Sequence, residues 1–296
     1  MAAEAHGPVP AISVVIPVLD GAATLGEQLQ ALAGQTYQGP WEVVVADNGS
    51  SDGTVELVRA WSRRLPCLRL VDASDRVGTN HARNAGTAAA RAPLLAYCDA
   101  DDVAAPGWLA AMVAALGRDH LVGGRLDDEL LNDPVCRAWR TKPAPPGLPR
   151  AMRFLPYATS ANLGIRAEVL AALGGWDEGF QRGGTEVELC WRAQLAGYRL
   201  GFAPDAVMGY RYRSTRRAFA YQLYRYGRGE AQLYRAFRGQ GMRRPSLARA
   251  GGTWAWILLH VPDLLRSPQR QGCWLRRAAF RLGRLHGSVR FRTVCL

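Results

Sequence analysis

Leu94-Leu95-Ala96-Tyr97-Cys98-Asp99-Ala100-Asp101-Asp102 is a short apolar run that ends abruptly in three carboxylates. Its first five residues have the length and apolar continuity of a strand buried on both faces, as strands of parallel sheets are. Residues just beyond such a strand stand where open α/β sheets bind their ligands. Two carboxylates at i and i+2, turning out of a strand end, offer hard oxygen ligands suited to Mg2+ or Mn2+. The cluster also has a plain structural reading, because aspartates cap helices and Asp102 with Pro106 could open a helix at Gly107. Its position among the other strand ends favours the functional reading.

Working outward, Ile12 to Ile16, Trp41 to Ala46 and Leu68 to Val71 are also strand-like, with helical stretches near 24–33, 54–64, 80–90 and 107–116. That alternation predicts an α/β fold with a mostly parallel, Rossmann-like sheet flanked by helices. The segments after the strands are polar: Pro17 to Asp20, then Asp47-Asn48-Gly49-Ser50-Ser51-Asp52-Gly53-Thr54, then Asp99 to Asp102. All three converge on one rim. Asp47 to Thr54 is at once an Asx-rich turn leading into a helix and a set of groups able to take a base, since a strand-end carboxylate can accept the N3 hydrogen of uracil. Arg83 and Asn84, on the helix entered through Gly78, bring a cation and an amide to the same rim, with phosphate oxygens as a partner for the arginine.

The stretch 126–158 holds Pro134, Pro143, Pro145, Pro146, Pro149 and Pro156 and reads as a long loop. Order resumes with a strand from Ala158 to Ile165, the turn Gly174-Gly175-Trp176-Asp177, a helix from Thr185 to Ala196, and Tyr198 to Ala203 closing the sheet. Beyond Asp205 come a helix near 216–238, rich in Tyr and Arg, and two amphipathic segments near 253–266 and 273–286.

The 296 residues are 48% hydrophobic and 21% charged, enough to bury a sizeable core. Six cysteines without a Cys-x-x-Cys pair indicate neither a disulfide framework nor a zinc site, and fit a reducing cytoplasm. Met1 to Pro10 lack the basic start and apolar run of a secretory signal. Trp254 to Leu265 is broken by His260, Pro262 and Asp263 and falls short of the roughly 20 apolar residues that a spanning helix needs. Charge is uneven: residues 1–204 carry 18 basic and 22 acidic side chains, residues 205–296 carry 19 and 3. Such a tail suits an anionic membrane surface or a solvated face better than nucleic acid.

In chain order, the pieces Val14-Val15-Ile16-Pro17-Val18, Asp47 to Thr54, Ala82-Arg83-Asn84-Ala85-Gly86, Asp99-Ala100-Asp101-Asp102, Gly174-Gly175-Trp176-Asp177-Glu178 and Glu188-Leu189-Cys190-Trp191-Arg192 resemble the family 2 glycosyltransferases, which have the GT-A fold. The resemblance covers roughly residues 11–213. It divides the chain into an N-terminal tail (1–10), a transferase domain (11–213, with a nucleotide-binding half at 11–125 and an acceptor-binding half at 126–213) and a basic, amphipathic helical extension (214–296).

The resemblance implies an inverting transfer of sugar from a nucleotide-diphosphate donor, a UDP-sugar favoured, to a hydroxyl acceptor: a lipid-linked sugar, a glycan or a secondary-metabolite precursor. It implies that Asp47 contacts the base, Asp99 the ribose or a metal-bound water, and Asp101 the Mg2+ or Mn2+ ion, with Asp99 as second metal ligand. Pro17, Val18, Asp20, Asp52, Arg83, Asn84 and Ala100 complete the expected donor site; Trp176, Asp177 and Glu188 are the expected acceptor contacts, although a tryptophan after two glycines can equally anchor the core. The family's Glu-Asp pair before its Leu-x-x-Arg helix reads Thr185-Glu186 here, which makes Glu186 the expected base and Glu188 its backup. Leu19 stands where an aromatic residue is common, and a histidine common near Tyr210 is missing, leaving the metal to carboxylate, diphosphate and water. Gln222-Leu223-Tyr224-Arg225-Tyr226 is faintly similar to a Gln-x-x-Arg-Trp signature of processive synthases, but is read as part of an amphipathic helix. The rival readings are a sugar-phosphate nucleotidyltransferase, whose glycine-rich basic loop after the first strand is absent, and a membrane- or nucleic-acid-binding module with an inactive front domain. The expected setting is cytoplasmic, with the tail able to hold the protein on the inner face of the membrane and no nucleic acid as partner.

Overall fold

β1 (Ile12–Val18) is buried along its whole length, as its predominance of Ile and Val dictates. A computed structural model describes residues 9–65, 67–140, 147–181, 183–243 and 245–296. After β1 come α1 (Leu25–Ala33), β2 (Trp41–Asp47), α2 (Thr54–Trp61), β3 (Leu68–Asp72), α3 (Thr79–Ala89), β4 (Leu94–Tyr97), β5 (Val103–Ala104) and α4 (Trp108–Leu116). The second half holds β6 (Leu121–Asp127), α5 (Pro134–Arg140), a 3-10 turn at Ser160–Asn162, β7 (Leu163–Arg166), α6 (Ala167–Ala172), α7 (Thr185–Leu195) and β8 (Leu200–Gly209). The tail is helical: α8 (Arg216–Phe237), α9 (Leu247–Leu259), a 3-10 turn at Val261–Leu265 and α10 (Pro268–Arg290). Most of the expected N-terminal tail, residues 1–8, lies outside the described residues.

The strands form one mixed sheet in the order β3-β2-β1-β4-β7-β6-β8-β5. Pairs β1–β2, β1–β4, β2–β3 and β6–β8 are parallel; β7 runs antiparallel to both β4 and β6, and β5 to β8. The sheet is therefore mostly parallel, as expected, with one inverted strand at its centre. Alternate residues feed two cores: Val14, Ile16, Val43 and Val45 pack under α1, α2 and α4, while Val15, Leu95, Tyr97 and Ile165 pack against Trp176 and Leu189. Gly86 lets α3 lie on β1, since a Cβ there would meet the Val15 side chain at 2.6 Å.

The stretch 126–158 is less irregular than its prolines suggest. β6 runs on to Asp127, and Pro134 opens α5 at a position where a missing N–H costs nothing. Asp133 caps that helix by accepting from the amides of Val135 and Cys136. Pro143, Pro145 and Pro146 lie outside the described residues. β8 continues beyond the expected Ala203 to Gly209, accommodating Pro204 at a register shift opposite Gly124/Arg125. It does not close the sheet; two-residue β5 covers its edge.

In the tail, the contacts Tyr224–Gly283, Ala231–Gly287 and Arg235–Phe291 ascend together, so α8 and α10 run in the same direction. Glycines bring them into backbone contact: a Cβ at Gly227 would fall on the Phe280 carbonyl, and one at Gly283 on that of Tyr224. α5 joins the pair, with Trp139 stacked on Phe219 at 6.2 Å.

Candidate active site

The ends of β1 and β4, the start of α7, the residues after β8 and one face of α8 enclose a cleft of about 740 Å³. A side chamber of about 270 Å³, lined by Leu19, Asn48, Val77 and Thr79, shares Pro17, Val18, Tyr221 and Arg225 with it. Of the residues expected from the sequence, Pro17, Val18, Asp20, Arg83, Asp99, Ala100, Asp101 and Glu186 lie on the wall of the main cleft.

Asp99, Asp101 and Asp102 each turn a carboxylate oxygen to within 4.8 Å of the others. Asp102 is fully buried and does not cap the next helix, whose N-cap is Gly107. Its Oδ1 accepts from the Arg211 amide at 2.8 Å, and its Oδ2 is buried without a partner. Loss of solvent first, and the neighbouring charges of Asp99 and Asp101 after it, push the Asp102 carboxyl up to about 9. Desolvation likewise raises Asp99 to about 6 against the pull of Arg83, with Asp101 and Glu186 adding to the rise. Three crowded carboxyls and an orphaned buried oxygen fit a divalent cation, with Asp101 and Asp99 facing the cleft and Asp102 behind them. Arg213, 2.9 Å from Asp101 Oδ2, supplies compensating charge.

Arg83 is almost fully buried. It donates to Asn80 and Ser160 at 3.0 and 2.8 Å, lies 3.6 Å from Asp99, and rests 4.6 Å from the centre of the Trp176 ring. That ring is 2% exposed and meets Tyr97 edge-on, so it stacks on no acceptor, contrary to expectation. Trp176 is instead the apolar platform under Arg83, the core-anchor role that a tryptophan after two glycines also allows. Asn84 does not reach the cleft: its side chain holds the Trp176 backbone from both sides at 2.9 Å. Glu188 is buried in a fork with Arg192, at 2.7 and 2.9 Å, and is absent from the cleft wall. Asp177 is exposed and accepts from the Gly179 amide.

Asp47 closes β2 with Oδ2 accepting from the amides of Gly49 and Ser50, while its Oδ1 is buried and unpartnered. Asp20, at φ 52°, accepts from the Ser51 amide, tying the first two strand-end loops together. Asp52 accepts from the amides of Ala22 and Thr54 and so holds those loops from outside the cleft. Hydrogen bonds from Thr54 are the chief reason its carboxyl sits below the usual range.

Glu186 stands in the first turn of α7 and accepts from Thr185 Oγ1 at 2.8 Å. The helix enters through Gly183 and Gly184, at φ 97° and 79°, a backbone that side chains rarely adopt. A Cβ on Gly183 would press on the Arg225 carbonyl at 2.7 Å, and one on Gly229 would fall on Gly183. The turn carrying Glu186 is thus seated on the backbone of α8. That helix contributes Tyr221, Gln222, Arg225 and Tyr226 to the cleft, beside Tyr210 and Arg211 from the segment after β8. From sequence, Gln222 to Tyr226 read as part of an amphipathic helix and were not assigned to the cleft; the spacing of Gln222, Arg225 and Tyr226 was the available signal.

The glycosyl transferase family 2 model matches residues 13–173, over half of the chain. This chain belongs to glycosyl transferase family 2. A second model, glycosyl transferase family group 2, matches residues 150–281 of this transferase and so reaches across α8 into α10. Glycosyltransferase AglE of Haloferax volcanii is 30% identical over 254 residues, covering 84% of the transferase and 81% of AglE. A pre-mycofactocin glycosyltransferase of Mycobacterium tuberculosis is 28% identical over 260 residues, 84% of this chain but 53% of its own length. Among solved structures, the mannosyltransferase PcManGT from Pyrobaculum calidifontis, in complex with GDP-Man and Mn2+, superposes with a TM-score of 0.67 at 21% identity. The match covers 94% of the transferase and 87% of PcManGT. At that identity the likeness is one of fold, and the fold is GT-A.

Proposed function

We propose that this transferase moves a sugar from a nucleotide-diphosphate donor, UDP-sugars favoured, to an acceptor hydroxyl with inversion at the anomeric carbon. The observation that carries the reading is the sharing of one cleft by Glu186, the Asp99–Asp101 pair and Arg83. Support for the donor class comes from the nucleotide sugar held by the structurally similar mannosyltransferase. The unpartnered Oδ1 of Asp47 suits the imino N–H of uracil, and half-exposed Leu19, on the side chamber, offers an apolar face for the base.

Asp101 and Asp99 would hold Mg2+ or Mn2+, a reading supported by the Mn2+ in that same neighbour. When bound, the ion neutralises negative charge on the departing diphosphate. Arg83, fixed by Asn80, Ser160 and Trp176, orients donor oxygens without having to be ordered at each turnover. Glu186 takes the proton from the acceptor hydroxyl as it attacks. Glu188, bound in its fork with Arg192, does not compete for that role. The Tyr- and Arg-bearing face of α8 closes the cleft against water.

Glu186→Gln is the test. Turnover should fall by about 10²–10⁴-fold, the usual range for a lost general base, with donor affinity by calorimetry unchanged. Wild-type turnover in this variant removes Glu186 from the mechanism.

A further inference from the structure

We infer that the turn joining α9 to α10 docks this protein on an anionic phospholipid bilayer, Leu258, Leu259, Val261 and Leu265 entering the headgroup region within a rim of arginines. The four side chains are 73%, 77%, 47% and 92% exposed, close together in sequence at the outer end of the tail. They are not loose. Asp263, buried at the centre of the turn, holds Arg266 at 2.9 Å and Arg270 at 3.5 Å. Trp274 donates to the Ile257 carbonyl at 2.9 Å, and the Trp256 ring is sandwiched between His260 and the Arg277 guanidinium, each at 4.1 Å. A rigid scaffold therefore displays aliphatic groups that nothing in the described residues covers.

The surrounding charge selects the partner. Asp263 is the only carboxylate side chain in residues 231–296, and it is buried and paired, whereas Arg266, Arg270, Arg276 and Arg277, in the turn and the first turns of α10, are exposed. An ordinary solvated helical face mixes both signs and seldom displays several large aliphatic groups side by side. A second copy meeting this patch about a two-fold axis would bring arginine rim to arginine rim, a repulsive match. Nucleic acid would satisfy the arginines but leave the leucines in water. An anionic bilayer takes both, since its headgroups attract the rim and its acyl boundary accepts leucine side chains. The surface is set in α9, α10 and their turn, away from the cleft wall, so this inference and the donor-site reading fail separately.

Flotation of the full chain with vesicles decides it. The wild-type protein should float with equimolar phosphatidylcholine and phosphatidylglycerol, and progressively less as salt is added or when vesicles are pure phosphatidylcholine. The double variant Leu259→Glu/Leu265→Glu, altered only at exposed positions, should lose vesicle binding by at least about tenfold while keeping its donor-induced thermal shift. Wild-type protein that stays at the bottom of the gradient on anionic vesicles would overturn the inference. So would a double variant that floats like wild type, or a wild-type dimer that the variant converts to monomer.

Discussion

Glu42 shows how one residue on β2 holds together segments far apart in the chain. Its carboxylate, buried near the start of that strand, accepts from Ser13 Oγ at 2.7 Å, from the Arg91 amide at 2.7 Å, and from the guanidinium groups of Arg69 and Arg91 at 2.8 and 3.0 Å. Burial alone would raise its pKa, but the hydrogen bonds and the Arg69 charge outweigh it and hold the carboxyl below the ordinary glutamate range. A depressed carboxylate contributes stability above its unfolded pKa and loses it as pH falls through the folded value. Glu42→Gln should therefore cost about 2–3 kcal/mol in urea unfolding at neutral pH. The gap to wild type should shrink only below the ordinary carboxylate range. The same scale explains which site residues could be read from sequence. Asp47, Asp99 and Asp101 each follow an apolar run, so their placement at strand ends was legible. Trp176, Asn84 and Glu188 sit in equally telling motifs, yet all three turn inward. Residue order fixes position along the chain, not the direction a side chain takes out of a turn. Asp102 was open to two readings for the same reason, and only the approach of Arg211 from beyond β8 shows it to be buried behind the cluster.

Among the elements, α8 links the turn at the start of α7 to the tail. One part of its surface meets the Gly183-Gly184 turn that carries Glu186; another meets α10 through Gly227 and Gly283. Gly227→Ala should force the helices apart and destabilise the fold by about 1–3 kcal/mol, the usual cost of overpacking. It should also lower turnover, because the wall carrying Tyr221, Gln222, Arg225 and Tyr226 moves with it. Thermal unfolding and steady-state kinetics on the same preparation check both. β1 to β4 and the helices α1 to α4 follow from apolar periodicity and were legible to within a few residues, whereas β5 and β6 were not read. The wall that α8 builds was not, because α8 lies more than 100 residues beyond Asp101 in the sequence and reaches the cleft only through the turn of the chain after β8. α5 was hidden by its own Pro134, which reads as a breaker until it is seen to be the first helical residue.

At the scale of the whole molecule, an acidic-leaning sheet domain and an arginine-rich helical tail share one cleft. The sheet contributes carboxylates and Arg83, and the tail closes the site with tyrosines and Arg225. No helix among the described residues is long and apolar enough to cross a membrane, and the proposed docking on a lipid surface rests on the α9–α10 turn alone. On the proposed function, a nucleotide sugar and a divalent cation occupy the Asp99–Asp101 end of the cleft together. Thermal shift of the full chain against UDP-, GDP- and dTDP-sugars, with and without Mn2+, tests it most directly, beside Asp101→Asn. The account predicts a rise in Tm, largest for a UDP-sugar, that needs both nucleotide sugar and metal and corresponds to about 2.7 kcal/mol at a hundredfold excess over Kd. In Asp101→Asn the rise should vanish. A stabilisation that is equal without metal, or one that survives in Asp101→Asn, would contradict it.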